Sequence, residues 1–229
     1  VAVRTVAKRH GLHATFMPKP KAEENGSGMH INMALYKDGK NIFEDPQDSL
    51  GLSKEAYSFI AGLLEHIKGM TAIFNPLVNS YKRLVPGFEA PSDMTWSSTQ
   101  RTALIKVCRG TREEKAIELR SPDASANPYL VFALCLEAGI DGIERGLEAP
   151  AELKKSIRDL SEEEKNNQGI KALPENLSDA LYEMEKDVWV KEMLGGSFLE
   201  HYKKGKRKEW KSYMKQVSEW ELEQYLYQI

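Results

Sequence analysis

Residues 29–36 read Met29-His30-Ile31-Asn32-Met33-Ala34-Leu35-Tyr36, apolar and polar side chains alternating with a period of two. A strand sends successive side chains to opposite faces. Met29, Ile31, Met33 and Leu35 therefore share one face, and His30, Asn32, Ala34 and Tyr36 share the other. Asp38-Gly39 follows as a two-residue hairpin turn, and Asn41-Ile42-Phe43 starts the return strand. Upstream, residues 13–17 read as a short β run stopped by Pro18 and Pro20, and 19–28 as a polar, glycine-bearing loop. Downstream, Ser53 is placed to cap a helix running to about Phe74. Its apolar stripe is Ala56, Phe59, Ile60, Leu63, Leu64, Ile67, Met70 and Ile73, and Asn75-Pro76 ends it.

Residues 77–99 are rich in Pro, Gly and Ser and read as a long irregular stretch, a length that usually serves function in a compact domain. Residues 103–108 and 116–120 are short β candidates joined by the charged loop from Arg109 to Lys115. Asn127-Pro128 opens a helix that is apolar nearly all round, which predicts burial. From Ala149 the pattern is helical and amphipathic: 178–194, a break at Gly195-Gly196, then about 206–227. Strands with interspersed helices, followed by a helical tail, predict an α+β fold of antiparallel strands packed with helices. Residues 1–148 form its first part, and 149–229 form a helical C-terminal region of the same domain.

The chain has 229 residues, 41% hydrophobic and 29% charged, which excludes global disorder. Thirty-two basic against 34 acidic residues give a net charge of −2, against a coat for nucleic acid or an anionic membrane. The apolar run 129–140 is interrupted by Glu137 and is too short to span a bilayer. Cys108 and Cys135 lie far apart in apolar surroundings. They read as buried thiols of a reducing compartment rather than zinc ligands or a disulfide. Arg4, Lys8 and Arg9 interrupt the first segment, which reads as no signal peptide, so a cytoplasmic location is expected. The first residue is Val, which suggests a chain cut from a longer one. The basic run 202–211 reads as a solvated helix face, not a nucleic-acid site.

Neither a G-x-G-x-x-G nor a G-x-x-x-x-G-K-[ST] pattern is present. Three clusters carry polar chemistry instead. Asn25-Gly26-Ser27-Gly28-Met29-His30-Ile31-Asn32 joins glycines that admit close backbone approach to His30 and Asn32 on one strand face. Asn79 to Pro91 sets Glu89 in a Pro- and Gly-flanked loop with the composition of a flap, and Arg83 offers a planar fork for a carboxylate. Ile117-Glu118-Leu119-Arg120 alternates again, putting Glu118 and Arg120 on one face, with Arg101 and Lys106 upstream.

These clusters, with Ala14-Thr15-Phe16-Met17-Pro18-Lys19-Pro20 and the continuation Ser121-Pro122-Asp123-Ala124-Ser125-Ala126-Asn127-Pro128-Tyr129-Leu130, resemble bacterial type I glutamine synthetase in order and separation. The likeness is dense over about the first 145 residues and returns in Val217-Ser218-Glu219-Trp220-Glu221. It implies formation of glutamine from glutamate, ammonia and ATP through a γ-glutamyl phosphate, with Mg²⁺ or Mn²⁺. By matching motifs it implies His30 and Glu118 as ligands of one metal. Asn25, Gly26, Arg83 and Arg120 become glutamate contacts, with Glu89 closing over them and helping take a proton from ammonium. Arg101 would meet the transferring phosphoryl group, and Asn32, Ala34 and Lys106 would join it in contacting ATP. Lys106 stands where many members have Arg, Glu113-Glu114-Lys115-Ala116 occupies the region of a basic ATP contact, and no tyrosine modification motif follows Leu160. The remaining metal carboxylates and the ammonium aspartate do not appear, so the chain alone is expected to be inactive. The intact form is expected to be a homo-oligomeric ring, a dodecamer. Two other readings are a γ-glutamyl-polyamine ligase and a non-catalytic fragment of the family.

Overall fold

A computed structural model describes residues 1–109 and 114–228. In chain order the first elements are α1 (Ala2–Arg9), β1 (Ile31–Met33), β2 (Tyr36–Lys37), β3 (Lys40–Asn41) and α2 (Lys54–Phe74). Then come α3 (Val78–Tyr81), β4 (Trp96–Ser97), β5 (Ile105–Arg109), β6 (Lys115–Leu119) and α4 (Pro128–Arg145). A 3₁₀ turn (Ile157–Asp159) leads to α5 (Glu162–Asn167), α6 (Leu177–Lys186), α7 (Val188–Leu194), α8 (Gly196–Tyr213) and α9 (Glu219–Tyr225). The architecture is α+β. One sheet has the order β1-β6-β5-β4, antiparallel except for the β4–β5 pair.

The alternation over 29–36 belongs to two sheets. Ile31–Met33 pairs with β6, and Tyr36–Lys37 pairs with β3 around Asp38 (φ 50°) and Gly39 (φ 77°). Positive φ at both central residues is what a type I′ hairpin requires. Period two continues across the break, so the sequence pattern alone does not separate the strands.

Helix α2 follows its sequence signals closely. Ser53 Oγ accepts from the Ala56 N–H at 3.1 Å, Asn75 ends the helix, and the whole apolar stripe is buried. It packs on α4 through glycines: a Cβ on Gly62 or on Gly142 would fall 2.8 Å from the other's Cα. His66, 6% exposed, ties α2 to two neighbours. Its Nε2 meets Asp141 Oδ2 of α4 at 3.1 Å and its Nδ1 meets Asp187 Oδ2 at 3.3 Å. Its ring stacks on Trp189 with centroids 4.1 Å apart. Burial works to lower the His66 pKa, but the two carboxylates outweigh it and raise the value.

Several sequence expectations are corrected. Residues 13–17 form no strand, and α1 precedes them with no buried residue; Arg4 of α1 lies 5.7 Å from the centre of the Phe16 ring. The stretch 77–99 contains α3 and β4. Helix α4 buries one face only. Tyr129 (82% exposed), Phe132 (52%) and Leu136 (43%) lie on the other, because a helix touched from one side cannot hide its whole circumference. The expected helix 178–194 is two helices, split at Asp187, whose Oδ1 caps α7 by accepting from the Val190 N–H at 3.1 Å. Helix α8 starts at Gly196 rather than near 206, and 149–156 is not helical. Cys135 is buried, with its thiol pushed up to about 12, whereas Cys108 is only half-buried and donates to Asn32 Oδ1 at 3.3 Å. One hydrophobic core joins α2, α4 and the inner sheet face to Leu173, Leu177, Leu181, Met184, Val190 and Leu199.

Candidate functional site

The sheet has an apolar face and a polar one. Ile31, Leu119 and Ile105 lie side by side across β1, β6 and β5 and point into the core. One position along, Asn32, Glu118 and Lys106 form the matching row on the opposite face. His30 precedes β1 and Arg120 follows β6, so the pleat puts both on that polar face beside Glu118. His30 Nδ1 lies 3.1 Å from Glu118 Oε1, and Glu118 Oε2 lies 3.8 Å from Arg120 Nε. Burial lowers the His30 pKa. Glu118 opposes that effect, while Arg120 and Arg83 add to it. The imidazole is thus held toward its neutral form, which keeps a nitrogen lone pair available.

A divalent cation fits these two groups as part of its shell. Neighbouring oxygen or nitrogen donors around a small octahedral ion stand roughly 3 Å apart, close to the observed His30–Glu118 separation. Among the described residues, no group of three or more His, Cys, Asp or Glu side chains gathers as a metal site.

Beside it lies a cleft of about 280 Å³ lined by Asn25, Gly26, Gly28, His30, Arg83, Phe88, Glu89, Ala90 and Arg120. That volume suits a metabolite rather than a large ligand. Arg83 and Arg120 are 4% and 6% exposed. Arg83 donates from Nη1 to the Ser121 carbonyl at 2.7 Å and from Nη2 to the Arg120 carbonyl at 3.0 Å. Arg120 donates to the Arg101 carbonyl, to the Ala103 carbonyl at 3.3 Å and to the Glu89 carbonyl at 3.4 Å. Carbonyls fix the planes of both guanidiniums, while Glu118 offsets part of the Arg120 charge and Asp123 part of that of Arg83. Burial lowers the Arg83 pKa, and Asp123 acts against it. The glycines let this happen: a Cβ on Gly28 would stand 2.6 Å from Arg83 Nη2, and one on Gly26 would collide with the Pro18 carbonyl.

Six expected residues, Asn25, Gly26, His30, Arg83, Glu89 and Arg120, thus meet at one cleft, with Glu118 bonded to His30. Glu89 is exposed at the mouth. Arg101 is exposed on the turn whose carbonyl Arg120 holds, and it does not line the cleft. Asn32 and Lys106 lie in the polar row of the sheet and Ala34 follows β1; none of the three lines the cleft. Glu113, in the expected ATP-contact region, lies outside the described residues; Glu114 accepts from the Tyr36 hydroxyl.

Residue-level reading missed the supports. Asp123 is fully buried; its Oδ1 accepts from the Ser125 N–H at 2.9 Å and its Oδ2 from Asn75 Nδ2 at 3.2 Å. Asn75 Nδ2 also donates to the Ser121 carbonyl at 2.8 Å, beneath Arg83. Asn79 clasps the Lys19 backbone, accepting its N–H at 2.8 Å and donating to its carbonyl at 3.0 Å. Asp123 and Asn79 stood inside the quoted motifs, but their partners lie 48 and 60 residues away, beyond any local pattern.

A small cleft walled by two buried arginines thus lies on the polar face of an α+β sheet, beside a His–Glu pair. The family model for the glutamine synthetase catalytic domain matches residues 1–225. A glutamine synthetase of Clostridium saccharobutylicum is 53% identical over 226 residues, covering 99% of this chain and 51% of that protein. One from Thermotoga maritima is 44% identical, covering 99% and 52%. Among solved structures, a GmaS/ADP complex superposes with a TM-score of 0.86 at 40% identity, over 98% of this chain and 51% of that one. The chain belongs to the glutamine synthetase family, within its catalytic domain, and spans about half the length of the curated relatives it matches.

Proposed function

We propose that this chain carries the glutamate-holding face of an ATP-dependent ligase that joins ammonia to glutamate through a γ-glutamyl phosphate, giving glutamine. The observation that carries this reading is the pair of buried guanidiniums, Arg83 and Arg120, facing one small cleft. Glutamate brings two carboxylates, and each charge-assisted contact contributes about 1.5–3 kcal/mol. In this reading Arg83 and Arg120 orient those carboxylates, and Asn25 and Gly26 supply the close wall. Glu89 at the mouth attracts the ammonium cation, accepts its proton at a carboxylate oxygen and helps keep water from the activated acyl group. Arg101 steadies the phosphoryl group in transfer, and Asn32, Ala34 and Lys106 contact ATP. Mg²⁺ or Mn²⁺, held by His30 and Glu118 with donors from elsewhere, would neutralise phosphate charge. With two protein donors of its own, the chain is proposed to bind glutamate without turning it over. By the same resemblance, the whole protein would work as a homo-oligomeric ring in the cytoplasm.

A second reading keeps the glutamate site and replaces ammonia with a larger amine, such as a polyamine. The likeness to GmaS structures favours weighing an amine other than ammonia. Calorimetric titration of the chain with L-glutamate tests what both share. Saturable uptake is expected, weakened at least tenfold in both R83A and R120A. Equal affinity in wild type and both variants would end the proposal. Comparing ammonia with methylamine and putrescine in the whole protein decides the amine.

A further inference from the structure

The loop that carries Glu89 is held at Phe88 from two directions, one residue before the Glu89 carbonyl that accepts from Arg120 at 3.4 Å. Gly87 turns the chain at φ +99°, and the next residue, Phe88, is gripped by both its backbone and its ring. Arg158 Nη2 donates to the Phe88 carbonyl at 2.6 Å. The Lys19 ammonium lies 3.3 Å from the centre of the Phe88 ring, within cation–π range. These cations are mounted differently. Lys19 is 6% exposed, donates from Nζ to the Glu24 carbonyl at 2.5 Å, and has its backbone clasped by Asn79. Arg158 is exposed on the 3₁₀ turn, next to Ile157, which anchors that turn against Ala103 and Leu153. Among the described residues neither Arg158 nor the Glu89 carboxylate makes an ion pair, and Glu89 takes its position from backbone held at two neighbouring carbonyls, Phe88 by Arg158 and Glu89 itself by Arg120.

We propose that Arg158 is a positioning residue, a releasable latch that reaches from the C-terminal region to Phe88 and sets Glu89 at the mouth of the cleft, with Lys19 as the fixed side. A charged donor on a neutral carbonyl is strong enough to bias the loop. At an exposed edge it is also weak enough to let go on each cycle of entry and exit. The latch is a statement about the loop. Its consequence for ligand binding rests on the glutamate reading above.

Hydrogen exchange of the 229-residue chain, followed over residues 84–91, tests both parts when run beside thermal melting and L-glutamate calorimetry. In R158A, exchange at 84–91 should rise about tenfold, the melting temperature should stay that of wild type, and glutamate should bind several-fold more weakly. R158K, which keeps a donor able to reach the carbonyl, should restore most of the protection. Unchanged exchange over 84–91 in R158A overturns the latch whatever glutamate does. A melting temperature that falls with exchange rising throughout the chain overturns it too, since the role would then be structural. Wild-type chain that takes up no glutamate, while loop exchange responds to R158A, sinks the glutamate reading and leaves the latch standing.

Discussion

Arg83 shows how much one side chain here depends on shape rather than charge alone. Its two terminal nitrogens reach the carbonyls of Ser121 and Arg120 at once, a fork that a lysine cannot reproduce. R83K keeps the charge, yet it should bind glutamate about tenfold or more weakly by calorimetry, the same loss expected of R83A. Wild-type affinity in R83K would show that a point charge suffices. The residues that meet at the cleft were legible through the family resemblance, and alternation placed His30 with Asn32 and Glu118 with Arg120 on polar strand faces. Asp123 was not, because a fully buried carboxylate is justified by partners distant in sequence: Asn75 below it and the Arg83 charge beside it. Arg158 escaped for the same reason, bonding to a main-chain carbonyl 70 residues away that no side-chain motif records.

The α2–α4 contact governs the body at the scale of elements. Both helices were readable from caps and periodicity, Ser53 and Asn127 each accepting from the first turn. The sequence carried no sign that they cross through Gly62 and Gly142, since a glycine in a helix reads only as a weak position. G142A places a methyl group against the Ser58 carbonyl and the Gly62 backbone, and should cost about 1–3 kcal/mol as overpacking. In a chain of this size that lowers the melting temperature by roughly 2–4 °C per kcal/mol. G205A is the control. Gly205 lies within α8 with nothing within 4 Å of an added Cβ, so alanine should raise stability by up to about 1 kcal/mol through helix propensity. Equal shifts in the two variants would refute the close crossing. The same limit explains the split at Asp187: it continues an amphipathic pattern while ending one helix and capping the next. The exposed stripe of Tyr129, Phe132 and Leu136 likewise reads as core in sequence and lies outside it in space.

For the whole molecule, His66 joins three helical segments and makes stability depend on pH in a definite direction. Its pKa is raised above 6.5 by Asp187 and Asp141 despite burial, so the folded state holds the proton more tightly than the unfolded one. That contribution is complete below about pH 6.5 and is lost as pH rises through the folded-state value. Arg145 also faces this cluster, pairing with Asp141 at 2.7 Å and lying 3.9 Å from Glu65. Urea unfolding of wild type and H66Q should show a stability difference that narrows between neutral and mildly alkaline pH. A difference constant over that range would mean the imidazole does not bind a proton there.

The central claim is that the Arg83–Arg120 cleft receives glutamate, and a crystal structure of the chain grown with saturating L-glutamate tests it most directly. The account predicts the amino acid inside the cleft, its carboxylates within hydrogen-bond distance of the Arg83 and Arg120 guanidiniums and its backbone end against Asn25 and Gly26. Glutamate bound elsewhere, while those guanidiniums keep their present protein partners and contact no ligand, would contradict it.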